Sequence, residues 1–90
     1  MGERRERLDI IKDILEAIRD KGGSIKPTHL LYKSNLSHDS MKRYVSELIE
    51  KEMVEEREEK ENKKYIITNK GLKFLTDYHQ IKDFTDSFGF

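Results

Sequence analysis

The sequence contains no cysteine, no tryptophan, one proline and no excess of charge of either sign. Without cysteine there is no disulfide framework, no thiolate metal site and no thiol nucleophile, which fits an intracellular setting. No apolar run approaches the roughly 18 residues of a membrane span. The opening MGERRERLD lacks the apolar stretch of a signal peptide, so a cytoplasmic protein is expected. A formal net charge of zero removes any whole-molecule field that would draw the chain to nucleic acid. His29, His38 and His79 form no i, i+3 or i, i+4 pair, which argues against a metal site. No motif gathers a nucleophile, a base and an oxyanion pocket, so neither catalysis nor a cofactor is expected.

What is present is charge in quantity and apolar residues in register. Charged residues make up 40% of the 90 positions and apolar ones 34%, a polar balance, yet the apolar residues recur periodically, as they do in a folded chain. A chain this short builds one domain with a thin core that oligomerisation would help. In RLDIIKDILEAIRDKGG, Leu8, Ile11, Ile14, Leu15 and Ile18 follow helical spacing and Gly22–Gly23 supply the stop. SIKPTHLLYKSN reads as a short extended entry followed by a short helix that opens at Pro27 and ends near Lys33, with Leu30 and Leu31 facing a core. Tyr32 in this helix reads as a core or boundary aromatic. After the turn-forming SNLS, Ser37 is a natural N-cap for a third helix over about residues 38 to 51, and Asp39 suits its dipole. MVEEREE and KKYIITN, separated by the polar EKEN, read as a two-stranded hairpin with an exposed tip. Thr68 or Asn69 then caps a last helix with too many apolar residues for one narrow stripe.

The third helix has two unlike faces. Met41, Tyr44, Val45, Leu48 and Ile49 share one, and the angular opposite is centred near Arg43, with Ser46, Lys42 and Asp39 beside it. The basic excess falls here: residues 24 to 44 hold four positive groups and one negative, whereas residues 45 to 62 hold three and eight. Helix, short strand, helix, turn, helix, hairpin is the order of a winged helix-turn-helix, a mainly α (α+β) fold whose second motif helix enters the DNA major groove. Arg43 could then reach guanine or a phosphate, with Ser46 on either. Ser37 and His38 at the helix start, and Lys26, Lys33 and Lys42, suit phosphates, as do Arg57, Lys60, Lys63 and Lys64 on the wing. Residues 74, 78, 81, 85 and 88 follow heptad spacing and read Phe74, Tyr78, Ile81, Thr85 and Phe88, with Phe84 flanking, which predicts a dimerisation stripe.

The runs DIIKDILEAI, HLLYKSNLSHDSMKRYVSELIEK and YIITNKGLKFLTDYHQIKDF, with the terminal FGF, cover nearly the whole chain. Above all, YKSNLS before the third helix and ITNKGLKFL after the hairpin carry a family resemblance. The sequence resembles the archaeal family of small winged-helix DNA-binding proteins, of roughly ten kilodaltons, and its predicted-regulator relatives. That resemblance implies a homodimer in which the C-terminal helices pair as an antiparallel coiled coil, hence a winged head over residues 1 to 68 and a dimerisation helix over 69 to 90. Members of chromatin type are basic. This sequence is neutral, and its wing EEREEKEN carries five acidic residues, which points to a sequence-selective, nucleoid-associated transcriptional regulator acting on double-stranded DNA rather than a non-specific compactor. The competing class is a protein-interaction module built on the same scaffold, since fold alone does not settle function.

Overall fold

The computed structural model describes residues 7–89; Phe90 of the terminal FGF and residues 1 to 6 of the expected head lie outside the described residues. The elements run α1 (Arg7–Asp20), β1 (Ser24–Ile25), α2 (Pro27–Ser34), α3 (His38–Glu50), β2 (Val54–Glu59), β3 (Asn62–Ile67) and α4 (Asn69–Ser87). The three strands form one antiparallel sheet in the order β1-β3-β2. This is the winged helix-turn-helix architecture with a long C-terminal helix. Among the described residues no helix is long and apolar enough to cross a membrane.

Local chemistry accounts for most of the element ends. The α1 stripe of Ile11, Ile14, Leu15 and Ile18 is buried, and the helix closes where the Gly22 N–H donates to the Arg19 carbonyl and the Gly23 N–H to that of Ile18. Gly22 has φ +87, the left-handed position such a close requires. Leu8 departs from expectation: it shares the periodicity but is 55% exposed, because the first turn of α1 overhangs the core and Ile10 packs partly against it instead. Lys26 is extended ahead of Pro27, whose missing N–H costs nothing at a helix start. Asn35 takes the left-handed conformation that ends α2, and Ser37 accepts from the Ser40 N–H at 3.1 Å to begin α3.

The core joins the inner stripes of α1, α2 and α3 to Ile25, Val54, Tyr65, Ile67 and Leu75. Beyond Val54 and Tyr65 the hairpin leaves the body and is exposed throughout. Its register pairs Glu59 with Asn62, so the expected polar loop is a two-residue turn, Lys60–Glu61, with both residues at positive φ. A hairpin turn of the right twist demands that backbone, and neither side chain favours it.

The start of α4 is pinned where α3 hands over to β2. The Thr68 hydroxyl accepts from the Gly71 N–H at 3.1 Å and donates to the Glu52 carbonyl at 2.7 Å, while the Thr68 N–H donates to the Met53 carbonyl. Gly71 is buried against that strand entry; a Cβ there would lie 2.5 Å from the Met53 carbonyl oxygen and 2.8 Å from Cγ1 of Ile67. Alanine in a helix interior ordinarily stabilises by about 0.5–1 kcal/mol over glycine. Here the clash reverses the sign. Gly71→Ala is expected to destabilise the fold by about 1–3 kcal/mol, read as a lowered urea midpoint, and a raised midpoint would rule out the close approach.

Candidate nucleic-acid interface

Burial of Met41, Val45 and Leu48 turns the other side of α3 outward. Ser37, His38, Lys42, Arg43 and Ser46 are all exposed. Arg43 has no carboxylate partner among the described residues; its Nη2 lies 3.4 Å from the Ser40 hydroxyl. Of the acids nearby, Asp39 and Glu50 stay exposed, but Glu47 is taken by Arg7, which also lies over the Tyr44 ring at 5.8 Å. The first described turn of α1 therefore neutralises the acid next to Arg43, a long-range pairing without a local sequence signal.

Tyr32 is neither the core nor the boundary aromatic expected. It is 86% exposed, because the inner stripe of the eight-residue α2 is already occupied by Leu30 and Ser34 and position 32 falls about 200° around from Leu30. A helical wheel anchored on Leu30 would have placed it outside, on the element that precedes α3.

The wing sorts its charges by face. Cross-strand partners are Glu56 with Tyr65, Arg57 with Lys64 and Glu58 with Lys63. Arg57 and Lys64 therefore point to one side, flanked by Glu55 and Glu59, and Lys63 to the other. Lys63 is engaged: its Nζ lies 2.9 Å from Oε2 of Glu56, and that hydrogen bond, with the Glu56 charge behind it, pushes the Lys63 ammonium above the ordinary lysine range. Lys60 stands at the tip. Lys26 and Lys33 line surface hollows beside β1 and α2 to which no α3 residue contributes.

On α4 the expected stripe divides. Phe74 packs against the core, the Tyr78 hydroxyl donates to Asp9, and His79 Nε2 lies 2.8 Å from Oε2 of Glu16. These contacts tie α4 to α1, and the Asp9 carboxylate holds the Tyr78 hydroxyl above its ordinary range. Past them the helix is open: Ile81, Phe84 and Phe88 are each about two-thirds exposed, and the Phe84 and Phe88 rings lie tilted at 50° with their centroids 5.0 Å apart. Thr85 is half-buried, its hydroxyl donating to the Lys82 carbonyl.

The Winged helix-turn-helix family model matches residues 4–86. The chain belongs to the winged helix-turn-helix family. Among solved structures, Sso10a-2, a DNA-binding protein from Sulfolobus solfataricus, is similar with a TM-score of 0.81 at 20% identity, over 93% of this chain and 85% of that one. F93 from STIV, a winged-helix DNA-binding protein, matches with a TM-score of 0.70 at 19% identity, over 87% of this chain and 90% of its own. MepR, a transcription regulator of the Staphylococcus aureus multidrug efflux pump MepA, matches with a TM-score of 0.75 at 12% identity; 88% of this chain is covered but only 60% of MepR. At these identities the likeness is one of fold. No curated protein matches the sequence. Within the winged helix-turn-helix, α2 and α3 are the motif helices and β2–β3 the wing.

The Lys63 contact decides which wing cations are free. Glu56→Gln is expected to return the Lys63 ammonium toward its ordinary range in a side-chain NMR titration. An unchanged titration would show that Glu56 does not hold Lys63 in solution.

Proposed function

We propose that this winged helix-turn-helix protein is a transcriptional regulator that binds double-stranded DNA as a homodimer, with α3 in the major groove. The observation that carries the reading is the exposed outer face of α3, where Arg43, Lys42 and Ser46 have no carboxylate partner among the described residues, on a helix whose inner face is locked into the core. Arg43 has the reach and fork geometry for guanine, while Lys42 and the helix start at Ser37 and His38 suit phosphates. The similar proteins support this reading, since Sso10a-2 and F93 are named as DNA-binding and MepR as a transcription regulator. Selective binding fits better than compaction, because the chain is neutral and the wing presents Glu55, Glu58, Glu59 and Glu61 to solvent. The reading assigns no catalysis and no cofactor, and places the protein in the cytoplasm, on the nucleoid.

Dimerisation is argued from α4. At 19 residues it is about 28 Å long. Ile81, Phe84 and Phe88 lie on the projecting part, with Thr85 between them, and large side chains of this kind each gain about 1.5–3 kcal/mol on full burial. Phe74 and Tyr78 already have partners on their own chain, so the seam begins at Ile81 and the two heads sit at opposite ends of the paired arms.

Two experiments bear on these two parts. Arg43→Ala is expected to cost about 1–3 kcal/mol on the preferred duplex and to relax base preference, whereas Lys42→Ala weakens all duplexes alike and flattens the salt dependence by about one ion. A double variant that binds every duplex like the wild type removes α3 from the interface, and absence of duplex binding at low salt favours an interaction module that uses the acidic wing. Separately, Ile81→Asp is expected to give monomers in sedimentation and much weaker DNA binding, because the two heads no longer share one encounter. A wild type already monomeric at about 10 μM overturns the paired-arm arrangement.

A further inference from the structure

The β1 edge of the sheet carries a second basic surface, to which no α3 residue contributes. Ile25 pairs with Tyr65, so the next residues, Lys26 and Lys64, emerge side by side. They line a hollow of about 480 Å³ with Lys21, His29 and Ile25. A second hollow of about 310 Å³ shares Lys21, Ile25 and His29 and reaches Lys33 along α2. The two form one groove, with Ile25 at its floor, four lysines at its rim and the half-buried His29 between. Asp20 is its one acidic wall, and that carboxylate is held by Arg19, whose Nε lies 3.1 Å from Oδ1. None of the four lysines has a carboxylate partner among the described residues. Lys64 in turn faces Arg57 on β2, beside which Glu55 and Glu59 lie on the same face, so the basic row ends at Lys64.

We propose that this groove is a second phosphate-binding surface, which grips the sugar-phosphate backbone of the bound duplex outside the segment met by α3. The inference rests on the DNA-binding reading above and adds Lys21 and His29 to the residues that contact DNA. The chemistry fits a phosphodiester chain: separate ammonium groups spread along an open trough recognise a line of single negative charges, and the imidazole adds a hydrogen-bond donor midway. It also reconciles a neutral protein with a polyanionic partner. Repulsion among the lysines is relieved on binding, and the acidic β2 edge lies on the other side of the sheet from β1.

The test compares the full-length wild type, Lys21→Gln/Lys33→Gln and Arg43→Ala on one duplex across a salt series. Both lysines are exposed, and circular dichroism verifies that the variants keep the fold. The lysine pair is expected to bind about tenfold more weakly at low salt, to lower the log–log salt slope by about 2, and to keep the base preference. Arg43→Ala loses the preference with a slope change of at most about 1. Wild-type affinity and slope in the lysine pair, with binding still lost in Arg43→Ala, overturn the groove and leave the α3 reading intact. A wild type that binds no duplex overturns both. The source of the phosphate is distinguished by the His29 ring signals in NMR, assigned through His29→Gln: they are expected to shift with duplex and not with inorganic phosphate at matched ionic strength. Saturation by inorganic phosphate below about 1 mM identifies a small-anion site instead and overturns the proposal.

Discussion

The arrangement of head and arm depends on the few atoms where Thr68 and Gly71 meet the exit of α3. A hydroxyl that caps α4 while donating to the Glu52 carbonyl fixes the first turn of α4 to the turn that follows α3. The missing Cβ at Gly71 lets the helix lie directly on the Met53 carbonyl. Because a helix is stiff, direction set at its root is transmitted along its length. The crossing of α1, through Tyr78 with Asp9 and His79 with Glu16, supplies the second point that defines a line. Ile81, Phe84 and Phe88 therefore stand at a set position relative to the outer face of α3.

Charge in this molecule is arranged locally and cancels globally. The wing and its approach are acidic along β2, whereas Lys21, Lys26, Lys33 and Lys64 gather beside β1 and α2. With a Debye length of about 8 Å at physiological ionic strength, a partner responds to the nearest patch and not to the sum. The zero net charge thus bears on whole-molecule, non-specific attraction and not on what an individual patch binds. The acidic residues on β2 have a structural consequence as well: β2 is an edge strand, and a row of glutamates discourages another chain from pairing with it.

Elements whose causes lie within four or five residues were legible in the sequence. The α1 and α3 stripes, the Gly22–Gly23 stop, the caps at Ser37 and Thr68 and the hairpin after α3 are each settled by neighbours along the chain, through helical periodicity, capping hydrogen bonds or turn conformation. Contacts between elements were not. Leu8 and Tyr32 were misplaced because periodicity names a stripe without saying how far the opposing surface extends, and α2 is too short to offer its aromatic a place inside. The Arg7 pairing with Glu47, the Lys63 pairing with Glu56 and the alignment of Lys26, Lys64 and Arg57 depend on which residues face one another across a sheet or between helices. A one-residue change of register would put every one of the strand side chains on the other face. The sequence by itself therefore determined the elements, their order and the outward face of α3, since these follow from local hydrogen bonding and apolar spacing. Only the tertiary structure decided which cations are free, which are taken and where the arm points, because those depend on strand register and packing between residues distant in the chain.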